Sequence, residues 1–149
     1  MNDILRHRLL DVYEAFYGGR IDDALAHYAD DIRYVCYAPV SLFPELGFRQ
    51  GKAQLAETMK LLHRRFHRMK FTVPRMLAGE HEVASVLDVR LQLRGSERLV
   101  QLYVANFIRF KDGQIVDHRT FLDAFDAVEQ ISGEEIDFKL ACPEIRAMS

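Results

Sequence analysis

Asp123 closes the stretch Gly113-Gln114-Ile115-Val116-Asp117-His118-Arg119-Thr120-Phe121-Leu122-Asp123, whose two-residue period reads as a strand. A carboxylate held among Phe and Leu side chains is pushed towards its neutral form, and a proton acceptor tuned in that way works near neutral pH. Asn106, in the preceding apolar stretch, is a polar residue whose burial without a partner is costly. Arg119 is the third polar residue in this region, and an ion pair within the protein is a better use for it than a ligand clamp. The plain alternative for Asp123 is a strand-end carboxylate that reaches solvent or caps a following helix. Tyr34 and Cys36 alternate on one strand face, where they pack and can also touch a ligand. His63 and His67 have the helical spacing of a metal pair, but basic neighbours surround them, so no metal and no cofactor is expected.

These residues need elements that hold them. Asp3 can cap a first helix in which Leu5, Leu9, Val12 and Phe16 recur at helical spacing, with Gly18-Gly19 as its stop. A short helix over 22–28 and a strand over 32–38 follow. The loop 39–47 carries Val40, Leu42, Phe43 and Leu46, more apolar than solvent requires, and is expected to line a mouth. A third helix over 51–67 shows Leu55, Met59, Leu62 and Phe66 on one face. The period then changes to two, giving strands over 69–78, 82–94, 98–110 and 114–123 with hairpin signals at Gly79-Glu80, Gly95-Ser96 and Asp112-Gly113. Helices first and strands afterwards predict an α+β domain with helices against one face of a curved antiparallel sheet. The domain is expected over 1–131, with 132–149 as a tail that serves as lid, dimer arm or disordered end.

Two-residue turns at Gly95-Ser96 and Asp112-Gly113 fix two registers, which set Ser85 beside Asn106 and Asn106 beside Arg119. On that basis the inner face carries Ser85, Leu87, Val104, Asn106, Ile115, Asp117, Arg119, Phe121 and Asp123. The outer face carries Asp88, Arg90, Gln92, Gln101, Tyr103, Phe107, His118 and Thr120, a mixture suited to solvent or to a homodimer interface. Catalysis is expected from Asp123 and Asn106, and a pocket lined by Val12, Phe16, Tyr34, Cys36, Val104, Arg119 and Phe121.

The 149 residues fit a single core, and 49% hydrophobic with 28% charged residues is the balance of a globular domain. A net charge of −2 gives no general attraction to nucleic acid or to an anionic membrane. The basic run from His63 to Lys70 reads as the solvated end of a helix, where cations suit the exposed carbonyls. With no apolar leader or membrane span and two distant cysteines, the expected location is the cytoplasm.

Ala29-Asp30-Asp31-Ile32, then Phe48-Arg49-Gln50-Gly51-Lys52 before the long helix, then Ile108-Arg109-Phe110-Lys111-Asp112-Gly113-Gln114-Ile115-Val116 together resemble the SnoaL-like group of the nuclear-transport-factor-two-like superfamily. The resemblance covers about residues 4 to 131. It implies a cystatin-like cone with a deep apolar cavity, commonly dimeric, hosting isomerases, cyclases, dehydratases, epoxide hydrolases or binding domains. Relative to the ketosteroid isomerases it sets Cys36 at the base, Val12 at the oxyanion tyrosine and Asn106 at the protonated aspartate, so two of three roles fall to different chemistry. Relative to the epoxide hydrolases it sets Asp123 at the catalytic acid, but Val86 stands where their Arg precedes a second Asp. The resulting expectation, which the likeness to SnoaL-like cyclases implies, is proton transfer on a hydrophobic small molecule, with Asp123 as base and Asn106 hydrogen-bonding the developing enolate oxygen. A non-catalytic ligand-binding or dimerisation domain, and an epoxide-hydrolase-like enzyme, are the alternatives.

Overall fold

Leu9, Val12, Tyr13 and Phe16 repeat at i, i+3, i+4 and i+7, and helix α1 (Asn2–Tyr17) turns that row inward with Leu9 and Val12 fully buried. Gly19, at a φ of 81°, supplies the left-handed residue that ends it. In this computed structural model, which describes residues 2–38, 44 and 46–135, there follow α2 (Ile21–Leu25), β1 (Tyr28–Tyr37), β2 (Phe48–Gln50) and α3 (Lys52–Arg65). The chain then runs through β3 (Phe66–Ala78), β4 (Glu82–Leu93), β5 (Leu99–Lys111), β6 (Gln114–Leu122) and α4 (Ala124–Ser132).

The sheet order is β2-β1-β6-β5-β4-β3. The antiparallel succession from β3 to β6 is the expected one, while β1 joins beside β6 in parallel. The sheet is curved and unclosed, and α1 and α3 pack on its concave face. α3 turns Leu55, Thr58 and Met59 into the core by the same helical spacing. It ends at Arg65, two residues before the expected stop, because Phe66 is already extended and pairs with Leu93. The basic run is therefore split between a helix end and the start of an edge strand. Pro74 is tolerated in that edge strand at a register break between Thr72 and Arg75, where no ladder bond is lost.

Four expectations need correction. Tyr28 does not end the second helix but opens β1, with its side chain buried. The β4–β5 register is as predicted, with Ser85 facing Asn106 and Asp88 facing Tyr103, yet the connection is longer than two residues, since the Leu93 N–H bonds the Arg98 carbonyl across it. The third correction concerns β6. Asp112 and Gly113 both adopt positive φ, 52° and 78°, as a two-residue primed turn requires, and Lys111 faces Gln114. Phe110 then faces Ile115, but Arg109 faces Asp117, so Val116 is an extra residue, a β-bulge. Every later side chain of β6 changes face. His118 and Thr120 are buried inside, whereas Arg119, Phe121 and Asp123 lie outside and exposed. Gln92, expected outside, is also buried.

Candidate functional site

The registers place a row of small polar side chains across the concave face. Cys36 of β1 pairs with Thr120 of β6, Thr120 with Asn106 of β5, and Asn106 with Ser85 of β4. One step along, Tyr34 pairs with His118 and meets its ring edge-on at 5.1 Å. Tyr13 descends from α1 and sets its hydroxyl 2.6 Å from the Ser85 hydroxyl. Tyr28, at the start of β1, stacks beside His118.

These groups satisfy one another, as burial demands. The Asn106 Oδ1 accepts from the Thr120 hydroxyl at 2.9 Å and from His118 Nε2 at 2.9 Å. An amide oxygen only accepts, so His118 carries its proton on Nε2 and its Nδ1 accepts the Tyr28 hydroxyl at 2.9 Å. The Tyr13 phenol lies near Asn106, whose amide favours the ionised form slightly against the larger effect of burial. Hydrogen bonds thus link Thr120, Asn106, His118 and Tyr28, with the Tyr13–Ser85 pair beside them.

Around these groups is a cavity of about 160 Å³. Its apolar walls include Val12 and Phe16 from α1, Leu55, Met59 and Leu62 from α3, Val104 and Leu102 from β5, and Ala127 and Ile131 from α4. No Asp, Glu, Lys or Arg lines it among the described residues. Desolvation keeps the titratable lining uncharged at neutral pH. It lowers the His118 pKa to about 3, raises the Cys36 thiol to about 11, and pushes the phenols of Tyr13, Tyr28 and Tyr34 well above their ordinary value.

Of the residues expected at the site, Asn106, Tyr34, Cys36, Val12, Phe16 and Val104 meet in this cavity. Leu46 of the apolar loop lines it as well, while Val40, Leu42 and Phe43 lie outside the described residues. Asp123 does not reach it. It is the N-cap of α4, with its Oδ1 accepting the Asp126 N–H at 3.0 Å, and it is exposed. Arg119 pairs with Asp117 at 3.2 Å and with the Tyr37 hydroxyl on the outer face, where Phe121 stacks on Tyr37. The bulge takes all three away from the cavity. Sequence reasoning missed Tyr13, Tyr28, His118 and Thr120. One signal for the last two was available: the unbulged register buries Asp117, Arg119 and Asp123 beside one another's strand, far costlier than burying His118 and Thr120.

No group of three or more His, Cys, Asp or Glu side chains that could hold a metal ion occurs among the described residues, and no described helix is long and apolar enough to cross a membrane. No curated protein matches the sequence. Among solved structures, a putative isomerase from Rhodopseudomonas palustris is 26% identical, with 88% of this chain and 97% of that one aligned at a TM-score of 0.79. A putative SnoaL-like polyketide cyclase from Jannaschia sp. CCS1 is 16% identical over 89% of this chain and 94% of that one, with a TM-score of 0.77. An epoxide hydrolase of the LEH-like type from M. tuberculosis is 17% identical over 85% and 88%, with a TM-score of 0.69. The model of the SnoaL-like domain matches residues 9–118, from within α1 through α2, α3 and β1 to β5 into β6 at His118. Fold and sequence agree, and the chain belongs to the SnoaL-like domain family.

Proposed function

We propose that the cavity binds a compact, neutral, largely apolar small molecule and that the protein moves a proton on it. The carrying observation is the chain of uncharged polar groups on one patch of an otherwise apolar cavity. A buried amide and phenol side by side, Asn106 and Tyr13, suit a carbonyl oxygen whose charge grows during reaction. His118 takes the place expected of Asp123 as proton acceptor. Its Nδ1 lone pair faces the Tyr28 hydroxyl, so the Tyr28 oxygen takes a proton from a substrate carbon as its own proton passes to Nδ1. Burial holds the resting ring neutral, so the imidazolium arises only as the partner of the enolate, whose opposite charge offsets that desolvation, and the proton then returns at another carbon. A volume of about 160 Å³ is room for about one small ring.

The second reading, a binding domain without turnover, is favoured by one observation. No carboxylate lines the cavity among the described residues, and both His118 nitrogens already have partners. A thermal-shift screen with monocyclic ketones, lactones, phenols and epoxides identifies ligands through the rise in melting temperature. Each hit is then followed by proton NMR in D2O for loss of the C–H signal next to its carbonyl. Proton transfer predicts exchange that falls about 10²-fold or more in His118→Gln and Tyr28→Phe with binding retained, and that survives in Asp123→Asn. Bound ligands that exchange no faster than in buffer leave the binding domain as the function.

The outer face supports a homodimer as part of the same proposal. Phe121 stacks on Tyr37 at 4.4 Å and meets Phe107 edge-on at 5.8 Å, and these three with Tyr103 are 40–64% exposed. Exposed aromatics ringed by the pairs Asp117–Arg119 and Asp88–Arg90 are the composition of a self-associating surface.

A further inference from the structure

The cavity floor is deep, with Tyr28 only 1% and Asn106 only 4% exposed, and Ala127 and Ile131 of α4 form part of the wall above it. We propose that α4 is a movable part of that wall, and that Gln130 and Arg98 latch it against β5. β5 outruns its neighbour here: the last β5–β6 pair is Val104 with Leu122, and among the described residues no strand pairs with 99–103 on that side. The Gln130 side-chain amide stands in for the missing peptide. Its Oε1 accepts the Gln101 N–H at 2.7 Å and its Nε2 donates to the Gln101 carbonyl at 2.7 Å. The Arg98 guanidinium donates to the Ile131 carbonyl, one of the orphan acceptors in the last turn of α4. Helical spacing puts Ala127 and Ile131 on the cavity while Gln130 faces β5.

The rest of the attachment is slight. α4 buries only Ala127, whereas α3 buries Leu55, Thr58 and Met59 and packs on three strands. One extended residue, Asp123, joins it to β6 and serves as the pivot. The latch bonds are solvent-exposed, which keeps them weak enough to break and re-form without unfolding the sheet.

Cys36 reports the opening without any ligand, because it lines the cavity at 3% exposure. In a full-length Cys142→Ser protein it is the single thiol, and its modification by methyl methanethiosulfonate is timed at fixed pH, from zero urea to concentrations well below the unfolding transition. Gln130→Ala keeps a good helix former in place, so it weakens the latch and not the helix. It and Arg98→Ala should each speed labelling about fivefold, and together more than tenfold, with rates nearly flat in low urea as local opening requires. Rates equal to wild type would overturn the latch. So would faster labelling that climbs with urea as steeply as global unfolding does, since the variants would then have loosened the whole fold. Neither result depends on the reaction proposed above.

Discussion

Burial holds His118 neutral, its pKa lowered to about 3, and this couples folding to pH. Below about 6.5 the unfolded chain takes up a proton on this ring that the folded chain refuses. The stability linked to it is therefore complete above pH 6.5 and is lost as pH falls towards 3, by up to about 1.4 kcal/mol per pH unit. Urea midpoints between pH 4.5 and 7.5 should fall towards acid more steeply in wild type than in His118→Gln. Parallel profiles would mean that the ring titrates in solvent. Asp123 gives a second contrast at this scale. As a helix cap it should tolerate Asn, which also accepts from the backbone, whereas Asp123→Ala should cost about 1 kcal/mol in denaturant midpoints. Equal losses in both variants would point instead to a need for its charge.

Long periodic elements were legible from sequence, and short or irregular ones were not. α1, α3 and the strands from β3 to β6 follow from apolar spacing and hairpin signals. β2 has three residues, too few to show a period, and α4 was hidden because Asp123 reads equally well as the end of a strand. The β4–β5 register carried Asn106 and Ser85 correctly because that pairing is unbroken from Glu82 to Gln92. The β5–β6 register failed at Val116 because a bulge has no residue signature of its own. Tyr13 escaped notice for a different reason: on α1 it adjoins Val12, and only the helix's rotation decides which of the two touches the polar row. The turn itself is open to test. Gly113 has positive φ, and a Cβ there would run into the Arg8 guanidinium, which donates to the Gly113 carbonyl. Gly113→Ala should therefore lower stability by about 1–2 kcal/mol, read by urea titration, and a neutral outcome would mean that Arg8 swings away freely.

The whole molecule has two faces of opposite habit, an uncharged cavity inside and an aromatic, charge-paired sheet outside. If the outer face joins two copies, Phe107→Glu together with Tyr103→Glu should leave a monomer in sedimentation velocity while ligand-induced melting shifts persist. A wild type that already sediments as a monomer at micromolar concentration would remove the dimer. Both faces depend on Val116. Strand side chains alternate, so the inserted residue works as a parity bit: remove it and Asp117, Arg119 and Phe121 turn inward while His118 and Thr120 turn out. Two chains matching at nearly every position could then enclose opposite chemistries, one neutral and one charged, told apart only by whether the count from the Asp112-Gly113 turn is odd or even.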